Sequence, residues 1–368
     1  MKIAYDAKRY FHNRTGLGNY SRTLVRAMTS QHGDVEAVLY DSKSLERTFC
    51  LGRKAAGEGC DLFHGLSNEL PRDILRANIP SIVTMHDVAW RTFPDMYKPW
   101  DRIIYDWKYG WSAKHATHVV CISESTKRDV MKFYQVPEER ISVIYQPVQQ
   151  LFYSPITREK AEQMVKDALG DLPPYVLTVG SINSRKNLLG MVKALHLLPA
   201  AERPLLLVVG NGREYRQRVE KYVEENNLGQ WVRIETGIHD GALLQALYTK
   251  ALCMLYPSFY EGFGLPVVEA SLQHCAVITS NVSSLPEAAG PEALQVNPSS
   301  AEEIAEALRL LLSDGAERQS RAEAGYAYCM EHFLPEKLTQ QMYGLYQLQV
   351  LALRRCSGEQ ARNPSYKL

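Results

Sequence analysis

The string Tyr256-Pro-Ser-Phe-Tyr-Glu-Gly-Phe-Gly-Leu-Pro-Val-Val-Glu269 sets two carboxylates on either side of a glycine-rich turn. The run Cys253–Tyr256 reads as a strand and Leu265-Pro266 as the opening of a helix, because proline suits a first helical turn. A turn of this kind presents backbone N–H groups beside the positive end of a helix, which suits phosphate oxygens. Glu261 precedes the turn and Glu269 follows it. Ionised carboxylates only accept hydrogen bonds, so they suit sugar hydroxyls flanking a phosphate. A surface turn with a dipole-stabilising Glu is the alternative.

Five further places hold residues of interest. Arg185 and Lys186 follow the strand Tyr175–Val179 and open the helix Asn187–Leu198. Two cations there are costly to bring together without an anion, and a pyrophosphate leaving group would supply one. They also read as a solvated helix start, although cations at an N-terminus oppose the macrodipole. Gly16 and Gly18 lie between the strand Lys2–Tyr5 and the helix Asn19–Ser30, where backbone can approach a ligand closely. They do not form a dinucleotide fingerprint, because Arg22-Thr23 stands where a third glycine is needed. His86-Asp87 ends the strand Ile82–Met85, and His86 reads either as a site residue or as a satisfied structural histidine. Ser123 reads as a helix N-cap. Trp90, Trp100, Trp107 and Trp111 fall in one stretch with Arg91, Lys98, Arg102, Lys108 and Lys114 interleaved. Ile103, Ile104, Trp107 and Trp111 follow helical spacing, so some of these rings read as core. The aromatic and basic mixture also suits a sugar-stacking groove or a membrane-facing surface. No His/Cys/Asp cluster has metal-ligand spacing and no D-x-D pair occurs, so the expected chemistry needs no metal.

These residues must be positioned by alternating strands and helices. Strands are expected at Lys2–Tyr5, Val35–Tyr40, Ile82–Met85, His118–Ile122 and Ile141–Ile144, with helices such as Asn19–Ser30 and Thr126–Phe133 between them. After Asp171-Leu-Pro-Pro174 the pattern restarts with Tyr175–Val179, Leu205–Val209, Val232–Ile234, Cys253–Tyr256 and Ala276–Thr279. Such alternation predicts parallel sheets covered on both faces. The expected fold class is α/β, with two Rossmann-like doubly wound domains facing across a cleft and ligand at the C-terminal strand ends. The expected boundaries are 1–170, 171–345, and a helix or tail at 346–368 crossing back to the first domain.

A chain of 368 residues exceeds what one core usually supports, about 250–300 residues. Its 45% hydrophobic and 23% charged residues exclude a disordered or fibrous protein. A formal net charge of +1 gives no footprint for nucleic acid, which is not expected as a partner. The first 150 residues carry 21 Lys and Arg against 17 Asp and Glu, an excess the remainder reverses. Seven scattered Cys without a C-x-x-C read as reduced thiols in a reducing compartment. No signal-peptide pattern and no bilayer-length apolar run occur, so the expected location is cytoplasmic, with peripheral association on the inner face of the cytoplasmic membrane.

The string E-G-F-G-L-P-x-x-E resembles the E-x7-E motif of retaining glycosyltransferases of the GT-B fold, family 4 (group 1). Val179-Gly-Ser-Ile-Asn-Ser-Arg-Lys-Asn187, Val208-Val-Gly-Asn-Gly212, Thr236-Gly-Ile238 and Ser280-Asn-Val-Ser-Ser-Leu-Pro-Glu287 are similar to its other segments, in order. Thr15-Gly-Leu-Gly-Asn19, Thr84-Met-His-Asp87 and Val120-Cys-Ile-Ser123 fit in the first half. Many relatives place an Arg directly after Gly180; here Ser181 stands there, and Arg185 becomes the candidate second cation.

The resemblance implies a nucleotide-sugar donor as substrate, no further cofactor, and a saccharide or lipid-linked saccharide acceptor. It implies Glu261 at the transferred sugar, Glu269 at the ribose, and Arg185 and Lys186 at the leaving diphosphate. His86 falls near the reaction centre. The backbone at Gly180 and from Phe263 through Gly264 to Leu265 faces the diphosphate and sugar, Gly237 and Ile238 face the base, and Gly16 and Gly18 cover the phosphates. The loops Ser280–Glu287 and Thr15–Asn19 look most like those of bacterial mannosyl- and rhamnosyltransferases of polysaccharide and lipopolysaccharide synthesis, so GDP-mannose is the expected donor. A sugar-nucleotide epimerase, a glycan phosphorylase and a non-catalytic nucleotide-sugar-binding partner of a synthesis complex are the alternatives.

Overall fold

The computed structural model describes residues 1–13 and 16–356. Thr15 of the Thr15–Asn19 loop and the tail from residue 357 lie outside the described residues. The strands are β1 (Lys2–Asp6), β2 (Glu36–Tyr40), β3 (Leu62–Gly65), β4 (Ser81–Met85), β5 (His118–Cys121), β6 (Ile141–Val143), β7 (Tyr175–Val179), β8 (Leu205–Val209), β9 (Val232–Glu235), β10 (Cys253–Tyr256), β11 (Val277–Ser280) and β12 (Leu294–Val296). They form two six-stranded sheets, ordered β2-β1-β3-β4-β5-β6 and β12-β11-β10-β7-β8-β9. Every pairing is parallel.

Among the described residues, the first compact unit comprises those of 1–147 together with 334–356, and the second 148–333. In the first unit alternate strand residues feed two cores. Ala4, Val83, Met85 and Val119 pack with Trp90, Val130 and Tyr134, while Ile3, Tyr5, Ile82 and Val120 pack with Tyr20, Leu24 and Met28. The period of two along each strand sends neighbours to opposite faces, so the sheet is covered on both sides. The long helix Pro335–Cys356 belongs to this unit, because Leu338, Met342, Leu345 and Tyr346 complete the second of these cores.

In the second unit Val176, Leu206, Val208, Leu255 and Ile278 pack against Met191, Val192 and Leu195 of the helix Leu188–Leu197 and against Ile304 and Leu308 of the helix Ala301–Ser313. The units divide at Pro147/Val148, earlier than the boundary after Gly170 read from Pro173-Pro174. The cause is local: Gln245 Nε2 donates to Leu151 O and Ser154 O, each at 2.9 Å, and ties this connection to the second unit.

Two strands escape the sequence pattern. β3 is Leu-Phe-His-Gly, four buried residues without alternation or β-branching, and β12 is a three-residue edge strand. The expected helix at Asn19 begins three residues earlier, at Gly16. Ser123 caps the helix Glu124–Tyr134, its Oγ accepting from Thr126 N at 3.0 Å.

The order of the second sheet places the positions. β7, β8 and β9 wind to one side and β10, β11 and β12 to the other, so the direction of winding reverses between β7 and β10. Loops leave the carboxyl ends of two adjacent strands in opposite directions there and open a crevice. Residues 180–187 and 257–264 are those two loops.

Candidate active site

Arg185 and Lys186 sit in a 3-10 turn, Ser184–Lys186, rather than in the helix, and Asn187 in the left-handed conformation (φ 61°) separates that turn from the helix Leu188–Leu197. The cations therefore do not oppose a helix dipole. Asn183 caps the turn, its Oδ1 accepting from Lys186 N at 3.2 Å. Asn187 Nδ2 donates to Pro257 O at 3.1 Å and Pro298 O at 2.7 Å, pinning the loop after β7 to the loop after β10. Phe259 N donates to Arg185 O at 2.9 Å, tying the same two loops again.

Both cations converge on one carboxylate. Arg185 NH1 lies 2.7 Å from Glu261 Oε2 and Lys186 Nζ lies 2.7 Å from Glu261 Oε1. Arg185 also donates to Tyr260 O, and Lys186 Nζ donates to Tyr256 Oη. Glu261 is only 7% exposed. Burial would raise its pKa, but Lys186 and Arg185 override this and hold it at about 2. Burial and Arg185 push Lys186 below its ordinary value, with Glu261 opposing. The sequence paired these cations with an exogenous anion; the structure sets an internal carboxylate against them, two positive charges facing one negative.

Serines of the Ser280–Glu287 loop shape the other side. Glu261 N donates to Ser283 Oγ at 3.1 Å, and Ser284 Oγ donates to the carbonyls of Glu261 and Phe263 at 2.8 Å each. Phe263 is buried edge-on against Phe333. Gly264 has φ +120°, and a Cβ there would come within 2.8 Å of Leu285 Cδ2, so glycine is required on two counts. The helix that follows, Leu265–Ser271, has seven residues with Leu265 at its start. Its dipole is small, so the positive character of the site rests on the side-chain cations. Gly180 has φ +140°, and a Cβ on Gly210 would overlap its carbonyl, so the loops after β7 and β8 touch. Gly237 has φ +98° with open space about its Cα, and it lies with half-buried Ile238 beyond β9. That is two strand spacings from β7, roughly 10 Å.

Glu269, half-buried in the helix, accepts from Tyr248 O–H at 3.1 Å. Burial raises its pKa to about 7, against the lowering effect of the Tyr248 bond. An unfolded-chain Glu titrates near ~4.3, so the folded protein holds an extra proton across the window up to 7 and loses stability as pH rises through it. Glu269→Gln is expected to flatten that decline and to exceed wild type at pH 8 by roughly 1–3 kcal/mol, partial exposure reducing the full effect. Urea unfolding at pH 5 and pH 8 measures this, and the same pH dependence in both proteins would contradict it.

His86 follows β4 in the first unit. It is 5% exposed, its Nε2 donates to Leu66 O at 2.8 Å, and its Nδ1 accepts from Gln146 Nε2 at 2.6 Å. Burial lowers its pKa to about 4. The ring is neutral with both nitrogens occupied, and it takes a proton only by giving up Gln146. Gly16 starts its helix exposed, while Gly18 is buried and a Cβ there would overlap Asn13 O. Gly18 therefore serves packing within the first unit.

The structure brings Arg185, Lys186, Glu261, Gly180, Phe263 and Gly264 together at the β7/β10 reversal. It also adds residues to which the sequence reading assigned no role: Tyr256, Asn187, Ser283, Ser284 and Tyr248. The signal for Tyr256 was its place as the last residue of the strand before the motif. The two serines lie inside a segment already singled out. Tyr248 carried no sequence signal.

Residues 159–328 match the family described as Glycosyl transferases group 1, and residues 39–149 match Glycosyltransferase Family 4. The chain is 30% identical to O-antigen chain mannosyltransferase B of Escherichia coli over 291 residues, 78% of this chain and 74% of that protein. The chain belongs to the family 4, group 1 glycosyltransferases. A serotype-specific mannosyltransferase of Escherichia coli is 29% identical over 206 residues, 55% of this glycosyltransferase but only 25% of that longer protein. The structure of sucrose-phosphate synthase from Thermosynechococcus elongatus superposes with a TM-score of 0.80 over 96% of this chain and 100% of that one, at 21% identity. The shared fold is GT-B. The group 1 match contains the Arg185–Lys186–Glu261 cluster and Glu269, and the family 4 match contains His86 but neither Gly16 nor Gly18.

Proposed function

We propose that this glycosyltransferase moves mannose from GDP-mannose to a saccharide or lipid-linked saccharide acceptor, with retention of configuration and without a metal ion. The setting would be cell-surface polysaccharide synthesis, with the protein in the cytoplasm and peripheral on the inner face of the membrane. The observation that carries the donor class is the convergence of Arg185 and Lys186 on Glu261 at the strand-order reversal. The cluster keeps one unbalanced positive charge beside a glycine-rich turn, where a diphosphate is the fitting anion. The mannosyltransferase names of its relatives and the resemblance of the Ser280–Glu287 and Thr15–Asn19 loops support the choice of sugar.

In this reading the diphosphate lies against Arg185 and Lys186 and takes over part of their neutralisation. Glu261 is thereby released toward the transferred sugar, Glu269 accepts from the ribose hydroxyls, and the backbone at Gly237 and Ile238 meets the base. The bond from sugar C1 to the phosphate oxygen breaks as negative charge builds on the diphosphate. The acceptor oxygen bonds C1 from the same face and gives its proton to the departing phosphate. Two fixed cations stabilise that charge without reorganising, which is the largest contribution a positioned site makes. The step needs no covalent intermediate on Glu261, because the acceptor oxygen bonds C1 directly as the phosphate leaves.

A thermal-shift screen of nucleotide sugars tests the reading. GDP-mannose at about 100 times its dissociation constant should stabilise the protein by about 2.7 kcal/mol, more than the UDP and ADP sugars at the same concentration. A larger shift with another sugar nucleotide would reassign the donor, and no shift with any of them would remove the reading.

A further inference from the structure

The tryptophan-rich stretch packs only in part as its spacing predicts, with Trp111 against the core of the first unit. Trp90 is buried and donates from Nε1 to Asp106 Oδ1 at 2.9 Å. By contrast Trp100, Ile103, Ile104 and Trp107 are 76%, 58%, 46% and 51% exposed. They lie at positions i, i+3, i+4 and i+7, one face of a continuous helical segment formed by Pro99–Tyr105 and the π-turn Asp106–Gly110. The opposite face is anchored inward. Tyr105 and Tyr109 stack at 5.3 Å and both meet Trp90 edge-on. Asp106 also holds Arg91 at 2.7 Å and Tyr134 O–H at 3.3 Å. The segment is therefore held firmly by its inner face with an apolar outer stripe bearing a tryptophan at each end.

We infer that this stripe is a docking surface for the interfacial region of an anionic lipid bilayer. Tryptophan rings at both ends of an aliphatic stripe suit the headgroup boundary, where an apolar body and a polar N–H are both satisfied. The surrounding charge favours the same occupant. Lys108 is committed to Glu69 at 2.6 Å and Arg91 to Asp106 at 2.7 Å. Lys98, Arg102 and Lys114 form no ion pair among the described residues, against two unpaired carboxylates, Asp95 and Asp101. The Arg72 guanidinium adds a further positive charge, lying 4.1 Å from the Trp107 ring and 4.3 Å from the Trp111 ring. Lysines are depleted from protein–protein interface cores, whereas basic side chains beside an apolar stripe suit anionic headgroups. No helix among the described residues is long and apolar enough to cross a membrane, so contact of this kind is interfacial. The inference rests on the proposed placement at the membrane and not on the donor or the transfer chemistry.

Flotation of the full-length protein with vesicles of phosphatidylglycerol and phosphatidylcholine tests it, beside vesicles of phosphatidylcholine alone. The wild type should float with the anionic vesicles and at least ~10-fold less with the neutral ones, because each basic residue at such a surface contributes roughly fivefold. Trp100→Ser with Ile104→Ser should lower partitioning at least ~10-fold. Lys98→Glu, Arg102→Glu and Lys114→Glu together should also lower it at least ~10-fold, and added salt should no longer weaken what binding remains. The nucleotide-sugar thermal shift of every variant should equal that of wild type, which shows that the variants are folded and separates this surface from the donor site. A wild type that responds to a nucleotide sugar but does not float would overturn the docking surface alone. Flotation unchanged in both variants would also overturn it, as would a wild-type dimer that Trp100→Ser with Ile104→Ser dissociates without any vesicle binding. A wild type that floats, loses flotation in the variants and responds to no nucleotide sugar would uphold the surface and remove the proposed donor chemistry.

Discussion

Lys186→Ala is expected to lower kcat about 10- to 100-fold, with a smaller loss of donor affinity. In the resting protein Lys186 shares the charge of Glu261 with Arg185, and its ammonium is set by Tyr256 Oη below it and by the ring face at 4.6 Å. Bound donor already carries charge on its diphosphate, so part of the contribution is present in the ground state. The remainder grows as the C1–oxygen bond breaks, and it appears in kcat. Arg185 stands on the same carboxylate, so the two cations are coupled and their single effects do not add. Arg185→Ala with Lys186→Ala should therefore lose more than either single variant predicts. Lys186→Arg should recover part of the rate, since a guanidinium keeps the charge but replaces a point donor with a fork. Steady-state kinetics on the three alanine proteins and Lys186→Arg measure this. A double variant with near-normal kcat would return the pair to a structural role.

Glu261→Ala should have the second large effect, on stability and in an unusual form. Removing one partner of a buried ion pair leaves uncompensated charge, which costs roughly 3–5 kcal/mol. Here two cations lose their shared partner, so the unliganded variant should melt several degrees below wild type. The same change frees both cations for an exogenous anion, so GDP should raise the melting temperature of Glu261→Ala by more than it raises that of wild type. GDP-mannose should gain little over GDP, because the contact to the sugar is gone. In wild type the Glu261 contribution has a defined pH sense. Its folded pKa, about 2, lies below the ordinary ~4.3, so the stability it confers is present above that ordinary value and is lost as pH falls toward 2. Melting curves of both proteins with and without GDP decide the matter. Equal GDP shifts in the two proteins would show that Glu261 does not occupy the place of a phosphate.

Much of this was legible in the residues because the strands carry their own signal. β7, β8 and β10 are apolar runs bounded by turn residues, and their limits agree between pattern and structure. β3 was not legible, since Leu-Phe-His-Gly owes its strand conformation to neighbours on both sides rather than to its own preference. The position of Glu261 before a glycine-rich turn could be read, but not its partners. That Arg185 and Lys186 reach it depends on β7 lying beside β10, a non-consecutive pairing. The tryptophan stretch was legible only in part: Trp90 and Trp111 pack with the core, while Trp100 and Trp107 are exposed. Helical spacing marks one face of a helix without saying whether that face turns toward the core, and here the tyrosines turn inward instead.

The central claim is that the Arg185–Lys186–Glu261 cluster is where a nucleotide diphosphate-sugar is held and broken. The direct measurement is release of GDP from GDP-mannose without acceptor, by wild type and by Arg185→Ala with Lys186→Ala, the GDP being quantified over hours. Slow release by wild type that falls by at least ~100-fold in the double variant is the predicted result. Equal release by the two proteins, or none by wild type with this or any other sugar nucleotide, would contradict it.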